Sequence, residues 1–301
     1  ITSLSENLSP WTEEEGKFIN ETEQAEGYRL GCAARIRGNV LIFVPEESRA
    51  GKQVVRKAAT KRAIDLKPAI SLHSIELSPP TLHDTLGDFD RLKNALTEKD
   101  NVASVHIDYP ALLKLPAALR KENWKVTVFL WMGKEIIDVK PGNVDDAYGL
   151  ALDIGTTTVA GYLCSLRTGR VIATESMMNP QVTFGEDVMS RITYAMTHED
   201  GLERIHGSII DGLNGLIRTI VDGCGLSPDD ILELTVVGNT VMHHLFLKIP
   251  PEYLGVAPFP PAIHRSVDVK ARDLGLRVHP CANVHVLPIE AGFVGADNVG
   301  V

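Results

Sequence analysis

The chain has 301 residues and a formal net charge of −9, which argues against nucleic acid or an anionic membrane surface as a partner. Its 44% hydrophobic and 23% charged residues are those of an ordinary globular protein, long enough for two or three domains. No apolar run reaches the length of a membrane-crossing helix, and the N-terminus lacks the basic-then-apolar order of a secretory signal. Four cysteines, Cys32, Cys164, Cys224 and Cys281, form no CxxC pair, which predicts a reducing, cytoplasmic setting over a disulfide scaffold. The chain opens on Ile1 and stops at Val301 inside an unfinished apolar pattern, so a fragment cut at both ends is expected.

Residues 1–31 are acidic and loop-like. Thr12 as N-cap and Glu15 in the capping-box position predict a helix start, and a strand is expected over 39–45. Between 49 and 67 the chain is basic (Arg49, Lys52, Arg56, Lys57, Lys61, Arg62, Lys67) and reads as a solvated linker face. Ser78-Pro79-Pro80-Thr81 forbids regular structure. Leu86, Phe89, Leu92 and Leu96 then recur at helical spacing over 85–99, with Asp88 and Asp90 early. Residues 101–146 predict a small α/β unit: a strand over 102–107, a helix over 109–120, and strands over 125–131 and 135–139. In that helix Leu112, Leu115 and Leu119 share a face, and Pro110 is tolerated in the first turn. Trp124 and Trp131 are expected in a core or a domain interface.

The stretch 148–172, YGLALDIGTTTVAGYLCSLRTGRVI, organises the C-terminal half of the chain. Apolar runs at 150–152, 159–163 and 171–174 are separated by polar turns, which is the pattern of a three-stranded meander. Its first tip, Asp153-Ile154-Gly155-Thr156-Thr157-Thr158, is suited to phosphate. Gly155 lets the backbone approach a ligand, successive turn N–H groups form an anion-binding concavity, and the Thr hydroxyls add donors. Asp153 at the strand end would hold Mg²⁺, directly or through water.

Downstream, Asn179-Pro180-Gln181 leads to a helix over 187–196, and Asn179, Gln181 and Asp187 either line a nucleotide cleft or cap the helix, capping being favoured for Asp187. A long amphipathic helix is predicted over Gly201–Cys224, stopped by Gly225. A buried strand over 232–237 ends in Gly238-Asn239-Thr240, which opens a helix running through Leu247. Such a junction lies at the carboxyl end of a sheet, where α/β proteins bind ligands. His243 and His244, adjacent on that helix, cannot chelate jointly, and one packed and one solvent-facing imidazole is expected. His279 and Cys281 lack the further ligands of a structural metal site. A strand over 284–287 precedes Ile289 to Asp297.

These residues carry a resemblance. Asp153 to Thr158 resembles the first phosphate-binding hairpin of the superfamily that includes actin, sugar kinases, acetate kinase and the heat-shock chaperone ATPases. The spelling ALDIGTTTVAGYL is similar to that of a narrower family, the ATP-dependent reductive activators of corrinoid proteins. So are PPTLHDTLGDFDRL, NPQVTFGEDVMSRI, GNTVMHHL and GFVGAD. LSPWTEEEG, GYRLGC and GNVLIFVPEES resemble the C-terminal end of a plant-type [2Fe–2S] ferredoxin domain.

The resemblance implies a multidomain α/β fold. Residues 1–47 would be the remnant of a ferredoxin β-grasp domain, 48–100 a linker, 101–146 a small α/β middle domain, and 147–301 the first part of an actin-like, ribonuclease H-like ATPase domain. A second phosphate-binding hairpin and an adenosine-binding helix pair would lie beyond Val301. Cys32 matches the fourth cluster ligand, and the other three are expected upstream of Ile1. The implied activity passes one electron from the cluster to the Co(II) corrinoid of a partner protein, giving Co(I), driven by ATP and Mg²⁺. An upstream donor would reduce the cluster, and a homodimer is left open. Asp153 would organise Mg²⁺, while Gly155, Thr156, Thr157, Thr158, Gly238, Asn239 and Thr240 would hold nucleotide. Asp187, Glu290 and Asp297 are candidates for orienting the attacking water, Asp187 being the catalytic choice. Two other readings stay open: a small-molecule kinase of the same superfamily, and a nucleotide-switched binding module.

Overall fold

The computed structural model describes residues 7–12, 15–17, 19–31, 33–40, 42, 66–102 and 104–299. The chain divides into two compact units, residues 1–54 and 55–301.

In the first unit the fully buried Glu15 is the organising group. Arg29 donates to both its carboxylate oxygens, Nε to Oε1 at 2.7 Å and Nη2 to Oε2 at 2.8 Å. The Thr12 N–H donates to Oε2 at 3.0 Å, the reach-back that a capping box requires, but the described turn is only a 3₁₀ turn, Glu15–Lys17. Arg29, opposed by burial and assisted by the backbone of Thr12 and Leu30, holds the Glu15 carboxyl down at about 2. A complete capping box occurs instead at the short helix α1 (Glu21–Ala25), where Asn20 and Glu23 satisfy each other's backbone N–H. Of the strand expected over 39–45, Asn39, Val40 and Ile42 are described and none is in a strand. The remaining residues of that strand lie outside the described residues, as does Cys32.

The second unit holds two sheets. The smaller contains β1 (Ile70–Glu76), β2 (His106–Ile107), β3 (Lys125–Trp131) and β4 (Glu135–Pro141), in the order β1-β3-β4-β2. Helices α2 (Asp88–Asp100) and α3 (Tyr109–Lys121) cover one face. Strand alternation sorts β3: Val126, Val128 and Leu130 pack with Leu92, Leu96, Leu115 and Leu119, while Phe129 and Trp131 face the opposite way. The sequence pattern does not announce β1, which pairs antiparallel with β3 and is covered by α2. The strand expected over 102–107 contracts to two residues. On α3 the buried set is Ala111, Leu115, Ala118 and Leu119, and Leu112 is 40% exposed; the helix turns its small alanines toward the sheet.

The larger sheet has the order β7-β6-β5-β8-β10-β9. The meander is β5 (Tyr148–Ile154), β6 (Thr158–Ser165) and β7 (Val171–Met178), all antiparallel. β8 (Ile231–Gly238) runs parallel to both β5 and β10 (Asn283–Val286), and β9 (Val267–Lys270) closes the edge antiparallel. Helix α4 (Val188–Thr197) leads into α5 (Gly201–Cys224), whose Ile205, Ile209, Leu213, Leu216, Ile217 and Ile220 form the core stripe. Gly225, at φ 68°, ends α5 in the left-handed conformation its sequence position predicts. Short helices α6 (Thr240–Phe246) and α7 (Ala296–Val299) complete the unit. No helix of the described residues is long and apolar enough to cross a membrane.

The two sheets meet through a mixed interface. Ile70, Phe129 and Ile137 pack against Ala147, Leu232 and Cys281. A bulge in β4 makes this face: Leu130 pairs with Ile136 and Phe129 with Asp138, so Ile137 is the extra residue. Glu135 and Asp138 thereby meet partners on the larger sheet. Lys270 donates to Glu135 at 2.7 Å, Arg272 forks onto Asp108 at 2.7 and 3.1 Å, and His279 Nε2 lies 3.4 Å from Asp138. Burial opposes the charges on Asp108 and Asp138, yet Arg272 and His279 respectively hold both carboxyls below the ordinary range. Among the described residues Glu233 on β8 has no ion-pair partner, and its Oε2 is buried without a hydrogen bond. Burial, reinforced by Asp268 and opposed by Trp131, pushes its carboxyl up to about 8.

The sign of that shift gives a test. The folded value, about 8, exceeds the ordinary 4.5, so the contribution of Glu233 to stability is present below 4.5 and is lost as pH rises toward 8. Glu233→Gln keeps the shape and removes the ionisation. Urea denaturation should show the variant more stable than wild type at the alkaline end by up to ~4 kcal/mol, and lacking the wild-type slope across that window. Parallel slopes in the two proteins would mean that Glu233 is not buried in its neutral form.

Candidate phosphate-binding site

The hairpin joining β5 to β6 is the tightest turn of the larger sheet. Gly155 N–H donates to Thr158 O at 3.0 Å, and a Cβ on Gly155 would lie 2.6 Å from that oxygen, so only glycine fits. Along β5 the alternation buries Leu150, Leu152 and Ile154 in the core and leaves Asp153 half-buried on the other face. The Tyr162 phenol, raised by burial and then by the charge of Asp153, shares that environment. Gly155, Thr156 and Thr158 are half-buried and Thr157 is exposed.

The β5–β8 register brings a second turn alongside. Ile154 lies beside Gly238, so Gly238-Asn239-Thr240 opens next to the hairpin tip. Asn239 caps α6, its Oδ1 accepting from the N–H groups of Val241 and Met242 at 3.0 Å each. Its Nδ2 donates to Thr156 Oγ1 at 2.9 Å, tying the two turns together. Thr240 is buried, and its hydroxyl donates to Ala291 O at 2.5 Å. That hydroxyl braces the loop after β10. Gly295 in the same loop sits so close that a Cβ would lie 2.3 Å from Asn239 Cα. The structure therefore gathers Asp153, Gly155, Thr156, Thr157, Thr158, Gly238 and Asn239 around one tip.

Two residues support that tip from beneath: Asn179, a candidate for the cleft, and Arg191, which the sequence pattern does not single out. Asn179, fully buried, donates from Nδ2 to Gly155 O at 2.7 Å and from its backbone N–H to Thr157 O at 2.7 Å. Arg191, also fully buried, donates from Nη2 to Thr156 O at 2.6 Å and from Nε to Gly185 O at 2.9 Å. The signal for both lies in the chain, in the NPQ and SRI ends of the segment 179–192, but nothing local says that they reach the hairpin.

Asp187 is the exposed N-cap of α4, accepting from Ser190 N–H at 2.7 Å. The backbone and side chain of Ser190 hold its carboxyl below the ordinary carboxylate range. Glu290 is exposed and Asp297 half-buried.

The histidine pair departs from expectation. Both are buried, His243 at 3% and His244 at 1% exposure, because α6 is enclosed on all sides. The Ala262 N–H donates to His244 Nε2 at 3.0 Å, so Nδ1 carries the proton and donates to Thr240 O at 2.8 Å. Neither nitrogen of His243 has a partner among the described residues, and burial followed by the neighbouring His244 lowers its pKa to about 4. His243 is therefore a neutral packing residue at ordinary pH. His279 and Cys281 are spent at the sheet interface, with the Cys281 N–H donating to His279 Nδ1 at 3.2 Å.

Comparison with known proteins places this geometry in a family. Residues 148–301 match the family described as RACo middle region, and residues 59–146 match RACo linker region. The corrinoid activation enzyme RamQ of Eubacterium limosum is 29% identical over 287 residues, which are 94% of this chain and 47% of that protein. A solved structure described as "Reductive activator for corrinoid,iron-sulfur protein" shares 31% identity and superposes with a TM-score of 0.71, over 99% of this chain and 50% of that one. The chain thus spans about half the length of the relatives it matches. The middle-region match takes in the whole larger sheet and its β5–β6 hairpin, and the chain belongs to the RACo family.

Proposed function

We propose that the protein containing this chain reductively activates a corrinoid protein, passing one electron from a [2Fe–2S] cluster to Co(II) to give Co(I) at the expense of ATP. The observation that carries the reading is the hairpin tip of a RACo-family chain, with Asp153 at the strand end, Asn239 tied to Thr156, and a buried guanidinium beneath. Reduction of Co(II) to Co(I) is uphill for an ordinary ferredoxin. A nucleotide-bound state with differential affinity for the reduction-ready partner supplies the missing bias.

The residues have distinct tasks in this reading. The hairpin 155–158, with Gly238 and Asn239, would hold phosphate oxygens, and Asp153 would hold Mg²⁺, whose charge neutralises them. Thr240 would act indirectly, since its hydroxyl is bonded to Ala291 O. Asp187 is proposed to orient the attacking water, with Glu290 and Asp297 as alternatives. Cys32 would be one cluster ligand, the cluster being the immediate one-electron donor. Residues 1–47, 48–100, 101–146 and 147–301 are proposed as ferredoxin remnant, linker, middle domain and first part of the actin-like ATPase domain. The proposed setting is cytoplasmic, with a corrinoid protein and an upstream reductant as partners.

Two measurements on the full-length protein test these roles. Asp153→Ala should lower corrinoid-stimulated ATP turnover by ~100-fold or more while far-ultraviolet circular dichroism stays that of wild type. Near-normal turnover by the folded variant would remove the metal role. Cys32→Ser should abolish the visible absorbance of the cluster; an unchanged spectrum would refute the ferredoxin assignment, and a colourless wild type would favour a kinase.

A further inference from the structure

The phosphate hairpin rests on a charge that nothing in the described structure neutralises. Arg191 lies in the first turn of α4 with no exposed surface. Its guanidinium bonds two carbonyls, Thr156 O and Gly185 O, and its Nη1 meets only the weakly accepting sulfur of Met242 at 3.1 Å. Among the described residues no carboxylate forms an ion pair with it. Asp187, one turn earlier, is exposed and capping the helix. Burial lowers the Arg191 pKa to about 10, with Asp187 opposing, so the group stays charged at neutral pH. A buried charge with no counter-ion is costly, and an apolar side chain of similar volume would avoid that cost.

The bonds it makes have a directional consequence. In a trans peptide the carbonyl and the following N–H point opposite ways. Arg191 draws the Thr156 carbonyl inward, which turns the Thr157 N–H outward; Asn179 does the same to Gly155 and Thr156. Neither of these outward amides donates to a described residue. They face the side from which an anion would approach, above a fixed positive charge.

We infer that Arg191 is a positioning residue and the built-in counter-charge of the hairpin, aiming the Thr157 N–H and leaving a positive charge that the phosphates of a bound nucleotide satisfy. The inference rests on the nucleotide reading of the hairpin and adds to it the residue that supplies the fixed positive charge beneath the phosphates.

The test is Mg-ATP binding to the full-length protein by calorimetry, in wild type, Arg191→Lys and Arg191→Gln, with melting of each unliganded protein measured alongside. Both variants can keep one donor to Thr156 O, and only lysine keeps the charge. Expected are affinity within ~3-fold of wild type for lysine and a ~30-fold loss for glutamine, with the unliganded glutamine variant melting no lower than the lysine one. Equal losses in the two folded variants, or no loss in glutamine, would show that Arg191 is a structural fork without an electrostatic role. If the glutamine variant does not fold, the salt dependence of Mg-ATP affinity decides, since lysine should retain the wild-type slope; a flattened slope overturns the inference. A wild type that binds no Mg-ATP overturns the hairpin reading itself, and the inference with it.

Discussion

The parallel pairing of β5 with β8 is the constraint on which the candidate site depends. Its register sets Ile154 beside Gly238, so two turns separated by more than eighty residues end at the same height on the sheet. A shift of one residue would send the core set Leu150, Leu152 and Ile154 to the opposite face, and the burial of that face against α5 forbids it. The site is thus a by-product of core packing. Once the strands are paired, Asn239 needs only its ordinary capping geometry to reach Thr156.

Polar chemistry is distributed unevenly around this frame. At the sheet interface the buried acids Asp108 and Glu135 meet Lys270 and Asp138 meets Lys114, whereas among the described residues Glu233 has no ion-pair partner and burial pushes its carboxyl up to about 8. Beneath the hairpin the situation is reversed: the Arg191 guanidinium is buried, and among the described residues no carboxylate forms an ion pair with it. Paired charges hold elements in place, whereas under the proposed reading the charge of Arg191 is one that a ligand would complete.

Much of the fold was legible in the chain. The helix Gly201–Cys224 and the strand Lys125–Trp131 have the bounds their periodicity predicted, and the meander follows its apolar runs. The turn at Gly155 was legible too, and the structure requires glycine there, since a Cβ would lie 2.6 Å from Thr158 O. Elsewhere local pattern misled. Leu112 shares helical spacing with Leu115 but is partly exposed, since alanines fit closer to the sheet. His243 and His244 point different ways yet are both buried, because α6 is covered on every side.

The sequence by itself therefore determined most of the elements and the tight turn of the hairpin, since periodicity, turn residues and caps act over a few neighbours. Tertiary structure alone decided which distant groups meet. The β4 bulge that aims Glu135 and Asp138 at the larger sheet, the burial of Glu233, and the placement of Asn179 and Arg191 under the hairpin all require contacts across tens of residues. Such contacts form when a buried polar group takes whatever partner the packed core leaves within hydrogen-bond reach, and a linear pattern carries no record of that distance.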